Sequence, residues 1–185
     1  MAISEGTKYS PAVMALHWLI FAGVIANWRI AEAAEHAATQ AEGSAIMGNH
    51  FAIGVLLFVA VVVRFALRAT RGIPAPQSGH AGWERTLAKA VHYIFYALLL
   101  IMPLAGWFAM SKYGAPINVW GLFALPPLPV AADPEGAKAI FEQHATAGKA
   151  MLILIVVHVL GTLKHTVLDK DGNLFRMLPF GTAKP

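Results

Sequence analysis

The stretch His144-Ala-Thr-Ala-Gly148-Lys149-Ala-Met151-Leu-Ile-Leu-Ile-Val-Val-His158 decides how this chain folds. It lies in an apolar run, residues 145–167, that can cross roughly 30 Å of hydrocarbon as a helix rising about 1.5 Å per residue. Histidines stand at both ends of it, fourteen residues apart. Fourteen residues is close to four helical turns, so both rings share one face and differ in depth by roughly 21 Å. A histidine inside a membrane span is costly and is a functional hypothesis by default. Two on one stripe mark two layers.

Three more runs match the first: residues 11–30, 46–67 and 87–110. The chain is 57% hydrophobic and 13% charged, about half the charged share of a soluble domain. Mean hydropathy is +0.58. These observations predict an all-α integral membrane four-helix bundle forming one domain over residues 1–185. The first run could instead be a signal peptide, with Lys8 ahead of it and Ala31-Glu32-Ala33 behind. His17 and Trp18 within it suit a retained span better.

Ten basic residues, Lys8, Arg64 and Arg176 among them, fall at the termini or near the second connection. Only Arg29, Lys112, Lys138 and Lys149 fall on the other side. That bias predicts both termini in the cytoplasm, which an even number of spans requires to agree. The net charge of +4 is then a topology signal and implies no nucleic acid. Trp28 and Trp107 fall at an outer aromatic belt and Trp83 near an inner one. The proline-rich outer connection, residues 111–142, is expected to fold over the mouth of the bundle, whereas residues 73–79 read as a linker.

The absence of cysteine removes disulfides, iron–sulfur clusters and covalent haem attachment. Eight histidines remain. By depth, His50 and His144 form an outer layer and His17, His92 and His158 an inner one. His165 continues the His144–His158 stripe to the inner surface, while His36 and His80 read as exposed loop residues. A low-spin b haem needs two axial imidazoles at one depth from facing helices, so two layers predict two haems stacked across the membrane. Alone, each histidine would more often be a hydrogen-bonded packing residue, and it is the pairing by depth that argues for ligands. A zinc site fits poorly, because the layers are too far apart to share an ion and lack carboxylates. Gly54, Gly148 and Gly161 sit near the histidines as gaps for a flat macrocycle, although small residues equally let membrane helices approach. Met151 falls between the layers and reads as core packing. The segment 169–173 superficially matches a calcium loop, but its glycine is misplaced and no distal glutamate follows.

Taken together, Tyr9-Ser10, His17-Trp18, His50 with Gly54, Arg64 and Arg68, His92 followed by Pro103 and Gly106, the His144–His158 interval and the tail 171–179 resemble the bacterial diheme cytochrome b561 family over nearly the whole chain. The resemblance implies that His17 and His158 ligate the inner haem b and His50 and His144 the outer. It places His92 and His165 near a quinone head group, where histidine can relay protons. Whether His92 replaces His17 as a ligand stays open. Arg64, fourteen residues after His50, is expected to meet an inner haem propionate, the alternative being a snorkelling anchor. Lys149 is a similar candidate on the outer side.

The same resemblance implies a superoxide oxidase, taking electrons from superoxide at the periplasmic face and delivering them to ubiquinone near the inner haem. The outer segments count against global steering of an anion, since six acidic residues face four basic ones. The competing class is a cytochrome b subunit in the bacterial inner membrane that relays electrons between a dehydrogenase or periplasmic redox protein and the quinone pool. A transporter has little support without inverted repeats or broken helices.

Overall fold

The computed structural model describes residues 3–4, 7–75 and 81–183; His80 and part of the second connection lie outside these. Four helices dominate: α1 Pro11–Glu35, α2 Gln40–Arg71, α3 Gly82–Lys112 and α4 Pro134–Leu163. All four are long and apolar enough to cross a membrane. Each extends past at least one end of its apolar stretch, because polar residues supply the ends, although α4 itself stops at Leu163, short of residue 167. Thr39 accepts the Glu42 amide at 3.2 Å at the start of α2. Asp133 accepts the Gly136 amide at 2.9 Å ahead of Pro134 at the start of α4, a position where a missing N–H costs nothing. His50 and His144 therefore both lie ten residues inside their helices rather than at the edge.

Large apolar side chains point outward in mid-helix: Leu19, Leu56, Val59, Ile101, Ile153 and Leu160 are all exposed. In water that arrangement would be unstable; in lipid it is the expected outer surface. Inward, α1 packs closely on α2 and α3 on α4. Gly23 permits the first contact, since a Cβ there would come within 2.7 Å of Leu57 Cδ2. The two helical hairpins face each other more loosely, and the cavities described below lie between them.

Both ends of the described chain meet at one end of the bundle, the terminal end. A short strand β1 (Ile3–Ser4) pairs in parallel with β2 (Ile73–Pro74) in the connection between α2 and α3. After α4, a wide π-type turn at Lys164–Leu168 leads to a 3-10 helix at Asn173–Met177. This tail folds back over the bundle. The Tyr9 amide donates to the Arg176 carbonyl at 3.1 Å, Trp18 Nε1–H to the Met177 carbonyl at 2.7 Å, and the Lys8 ammonium to the carbonyls of Leu178, Phe180 and Gly181.

The opposite end is covered by the long connection between α3 and α4. It forms an antiparallel hairpin of β3 (Ile117–Val119) and β4 (Phe123–Leu125). Trp120 and Gly121 both take positive φ, +51° and +75°, which the tight reversal of a hairpin demands. Ile117 and Val119 are buried, and Trp120 Nε1–H reaches Asn49 Oδ1 at 2.9 Å, one residue from His50. Trp107 Nε1–H holds the Pro126 carbonyl at 2.9 Å. The connection is thus tied down at both shoulders.

Candidate cofactor sites

Two cavities lie one above the other between the helical hairpins. The lower, toward the terminal end, has a volume of about 430 Å³ and is lined by His17, His92 and His158. The upper has a volume of about 450 Å³ and is lined by His50 and His144. Val24, Leu99 and Met151 line both. Met151 is buried, 6% exposed, and so forms part of the wall dividing the two.

The imidazoles meet in pairs across each cavity. The ring centres of His50 and His144 are 6.0 Å apart with planes at 73°. Those of His17 and His158 are 6.3 Å apart at 69°. A metal–imidazole bond of about 2.0 Å and roughly 1.15 Å from ring nitrogen to ring centre, counted on both sides, would put two imidazoles on one metal about 6.3 Å apart. Both separations fit an iron porphyrin held between the rings. The walls fit it as well, being mostly apolar with few polar groups, as cofactor sites usually are.

The upper pair is prepared for metal binding. His50 donates from Nδ1 to the Asn27 carbonyl at 3.0 Å. That bond fixes the tautomer with Nε2 free and orients the ring, as partners behind ligating histidines generally do. Its acceptor was not legible in the sequence: Asn27 is a buried polar residue of α1, 9% exposed. His144 Nδ1 is out of contact with solvent, with the Met102 backbone beside it. Opposite it, α3 places Gly106 beside the ring, where a Cβ would make ordinary contact with His144 Cε1 at 3.7 Å. Gly54, Gly106 and Gly148 all line this cavity. Gly161 does not line either cavity, so its proximity to His158 in sequence does not make it a gap for a ring.

The lower layer holds three histidines. His92 is 5.7 Å from His158 and lies nearly parallel to Tyr96 at 6.5 Å. Arg64 reaches the same cavity from α2 and donates from Nη1 to the Val13 carbonyl at 2.9 Å. Arg68 and Arg176 join it; neither stood out as a site residue from sequence. Lys149 lines the upper cavity, where Glu32 and Glu35 also appear.

His165 is placed differently from the stripe expected of it. The π-type turn begins at Lys164, and the ring faces Asp169 at 2.7 Å and Asp171 at 3.7 Å rather than the cavity. Lys164 bridges Glu84 at 2.5 Å and Asp169 at 2.7 Å. Glu84, His165 and Asp169 have ligand atoms close enough for one metal ion, but the Lys164 ammonium already pairs with both carboxylates. The group is an ion-pair cluster joining α3, the end of α4 and the tail. Outside the spans, the Lys164 hydrogen bond holds the Asp169 carboxyl below its ordinary value, and the Lys112 hydrogen bond does the same for Asp133. His36 is exposed at the end of α1, its Nδ1 2.8 Å from the Glu32 carbonyl.

Known proteins share this sequence pattern. The family model described as prokaryotic cytochrome b561 matches residues 8–180. Cytochrome b561 homolog 2 of Escherichia coli K12 is 34% identical over 131 residues, 70% of this chain and 68% of that protein. A probable superoxide oxidase CybB of Yersinia pestis is 26% identical over 93% of this chain and 96% of its own length. A cytochrome b562 of Cereibacter sphaeroides is 27% identical over 95% and 98%. Four membrane-crossing helices, two histidine-lined cavities and a family match over almost the entire length converge, and the chain belongs to the prokaryotic cytochrome b561 family of multi-pass membrane proteins that bind haem b and transfer electrons.

Proposed function

We propose that this protein binds two haems b, one between His50 and His144 and one between His17 and His158, and that it oxidises superoxide at the periplasmic face while reducing ubiquinone near the lower haem. The observation that carries the reading is the pair of cavities, each crossed by two imidazoles with ring centres 6.0 or 6.3 Å apart, room in which they would hold one iron porphyrin between them. The terminal end is assigned to the cytoplasm of the bacterial inner membrane, on the strength of the basic residues gathered there.

Haem b, when bound, would supply one-electron transfer, with His17 and His158 holding one group and His50 and His144 the other. The chain does the rest. His50 is held by the Asn27 carbonyl, and Ile117 of the hairpin closes part of the upper cavity with an apolar side chain. Two superoxide anions release two electrons and leave as dioxygen; one ubiquinone takes up those electrons and two protons to become the quinol. Imidazoles suit the proton side of that balance. His92, on the wall of the lower cavity, and His165, hydrogen-bonded to Asp169 at the same end, are assigned to it. Arg64 is assigned to a lower haem carboxylate.

The name of the Yersinia pestis relative supports the superoxide half. A relay subunit is the second reading, favoured by Glu32 and Glu35 at the upper cavity: carboxylates there suit a basic redox partner better than an anion. The deciding experiment is reduction of ubiquinone by enzymatically generated superoxide with the purified protein in detergent. Stoichiometric quinol without any added partner supports the oxidase; haem reduction only by a protein donor supports the relay.

A further inference from the structure

Three guanidinium groups line the lower cavity, and no carboxylate among the described residues lines it with them. Arg64 and Arg68 lie one turn apart on α2. Arg176 arrives from the tail, more than a hundred residues later. Among the described residues their partners are all neutral. Arg64 gives one N–H to the Val13 carbonyl. Arg68 lies between the rings of Tyr9 and Tyr96, 5.3 and 5.6 Å from their centres. Arg176 is 9% exposed and gives one N–H to the Ala75 carbonyl at 2.6 Å. The Nε atoms of both Arg68 and Arg176 are buried with no hydrogen-bond partner.

Buried charge is ordinarily paired, and a buried N–H without an acceptor is destabilising. Ring faces and backbone carbonyls offset part of that cost but leave the net positive charge intact. The arrangement is complete only with an anion that accepts from several guanidinium forks at once, which is what a carboxylate does well. A flat macrocycle between His17 and His158, in the same cavity, brings two carboxylates with it.

We infer that Arg68 and Arg176, together with Arg64, form the carboxylate-binding end of the lower haem site, and that the carboxyl-terminal tail is a wall of that site held closed by the bound anion. This rests on the proposed ligation by His17 and His158. The tail is already positioned for it through the bonds from Tyr9, Trp18 and Lys8 to its backbone. Those bonds fix the backbone; the anion fixes the guanidinium.

A cation beside a haem disfavours the oxidised, more positive state. Arg176→Gln, in the full-length purified protein, should therefore lower one midpoint potential in an optical redox titration. The haem affected should be the one that survives in His144→Ala protein, with the other unchanged, and cleavage of the tail by chymotrypsin should become faster. Arg176→Lys keeps the charge and should restore most of the potential. If Arg176→Gln loses the lower haem outright, retention in Arg176→Lys supports the inference, and loss in both overturns it. Potentials that stay the same or rise in Arg176→Gln, or equal changes in Gln and Lys variants, also overturn it. Failure of the underlying ligation would appear separately, as wild-type protein without two haems or as His158→Ala protein that keeps both.

Discussion

His17 and His92 both face His158, and the proposed ligation by His17 leads to a testable distinction between them. Trans ligation through bonds of about 2.0 Å places ring centres about 6.3 Å apart. His17–His158 meets that value at 6.3 Å. His50–His144, at 6.0 Å, needs only about 0.15 Å of adjustment per bond, inside the roughly 0.2 Å tolerance of a sound metal site. His92–His158, at 5.7 Å, falls short by about 0.3 Å per bond, outside that tolerance. His92 also lies against Tyr96 at an interplanar angle of 18°, a contact it would have to surrender in turning toward iron. His17→Ala should accordingly reduce the haem content from two per chain to one, whereas His92→Ala should leave two. The assay is the pyridine hemochrome spectrum against protein concentration, with low-temperature electron paramagnetic resonance to check that each remaining haem is low-spin. The reasoning is refuted if His17→Ala retains two low-spin haems while His92→Ala loses one.

His50→Ala and His144→Ala should each abolish the same spectral component and spare the other; disappearance of different components would break the assignment of the upper pair. Thr39→Ala removes the side-chain acceptor of Glu42 N–H at the start of α2 and should destabilise the protein by about 1 kcal/mol, read as a lowered thermal midpoint in detergent against an unchanged haem content. Because Asp169 has its pKa depressed in the folded state, its ion pair contributes fully above the ordinary value near 3.8 and is lost as pH falls through the lower folded value. Amide exchange in the tail should quicken over that acid range, and Lys164→Gln should weaken the dependence, with His165 left as the second partner of Asp169; an unaltered profile in that variant would count against the Lys164 pair as the cause.

The fold was legible where lipid imposes its own pattern. Apolar length and basic-residue bias yield four helices with both ends of the chain at one side, because a bilayer permits few alternatives. The helix ends were not legible to the same degree. Hydropathy stops where hydrocarbon stops, while Thr39, Asp133 and Pro134 carry α2 and α4 further by local hydrogen bonding. His50 and His144 could be paired from sequence because fourteen residues is a helical near-period and topology then sets the depths. Asn27 and Arg176 could not. Asn27 acts through its backbone carbonyl, which its side chain does not advertise, and Arg176 belongs to a tail whose path depends on long-range hydrogen bonds from Tyr9, Trp18 and Lys8. His165 shows the limit of periodicity itself, since a single wide turn after Leu163 takes the ring off the stripe.

The two cavities are alike in volume and ligand geometry but differ in charge, and that difference bears on direction. Around the lower one stand Arg64, Arg68 and Arg176 with no acid among the described residues. Around the upper one stand Glu32, Glu35 and a single cation, Lys149. Fixed cations favour the reduced form of a nearby redox centre and fixed carboxylates the oxidised form, more strongly in a low-dielectric interior than in water. An electron entering at the upper layer therefore moves toward the more positive surroundings as it descends past Val24, Leu99 and Met151. The charge pattern thus favours flow from the hairpin end to the terminal end, the sense in which a periplasmic donor would reduce a quinone, whichever donor that is.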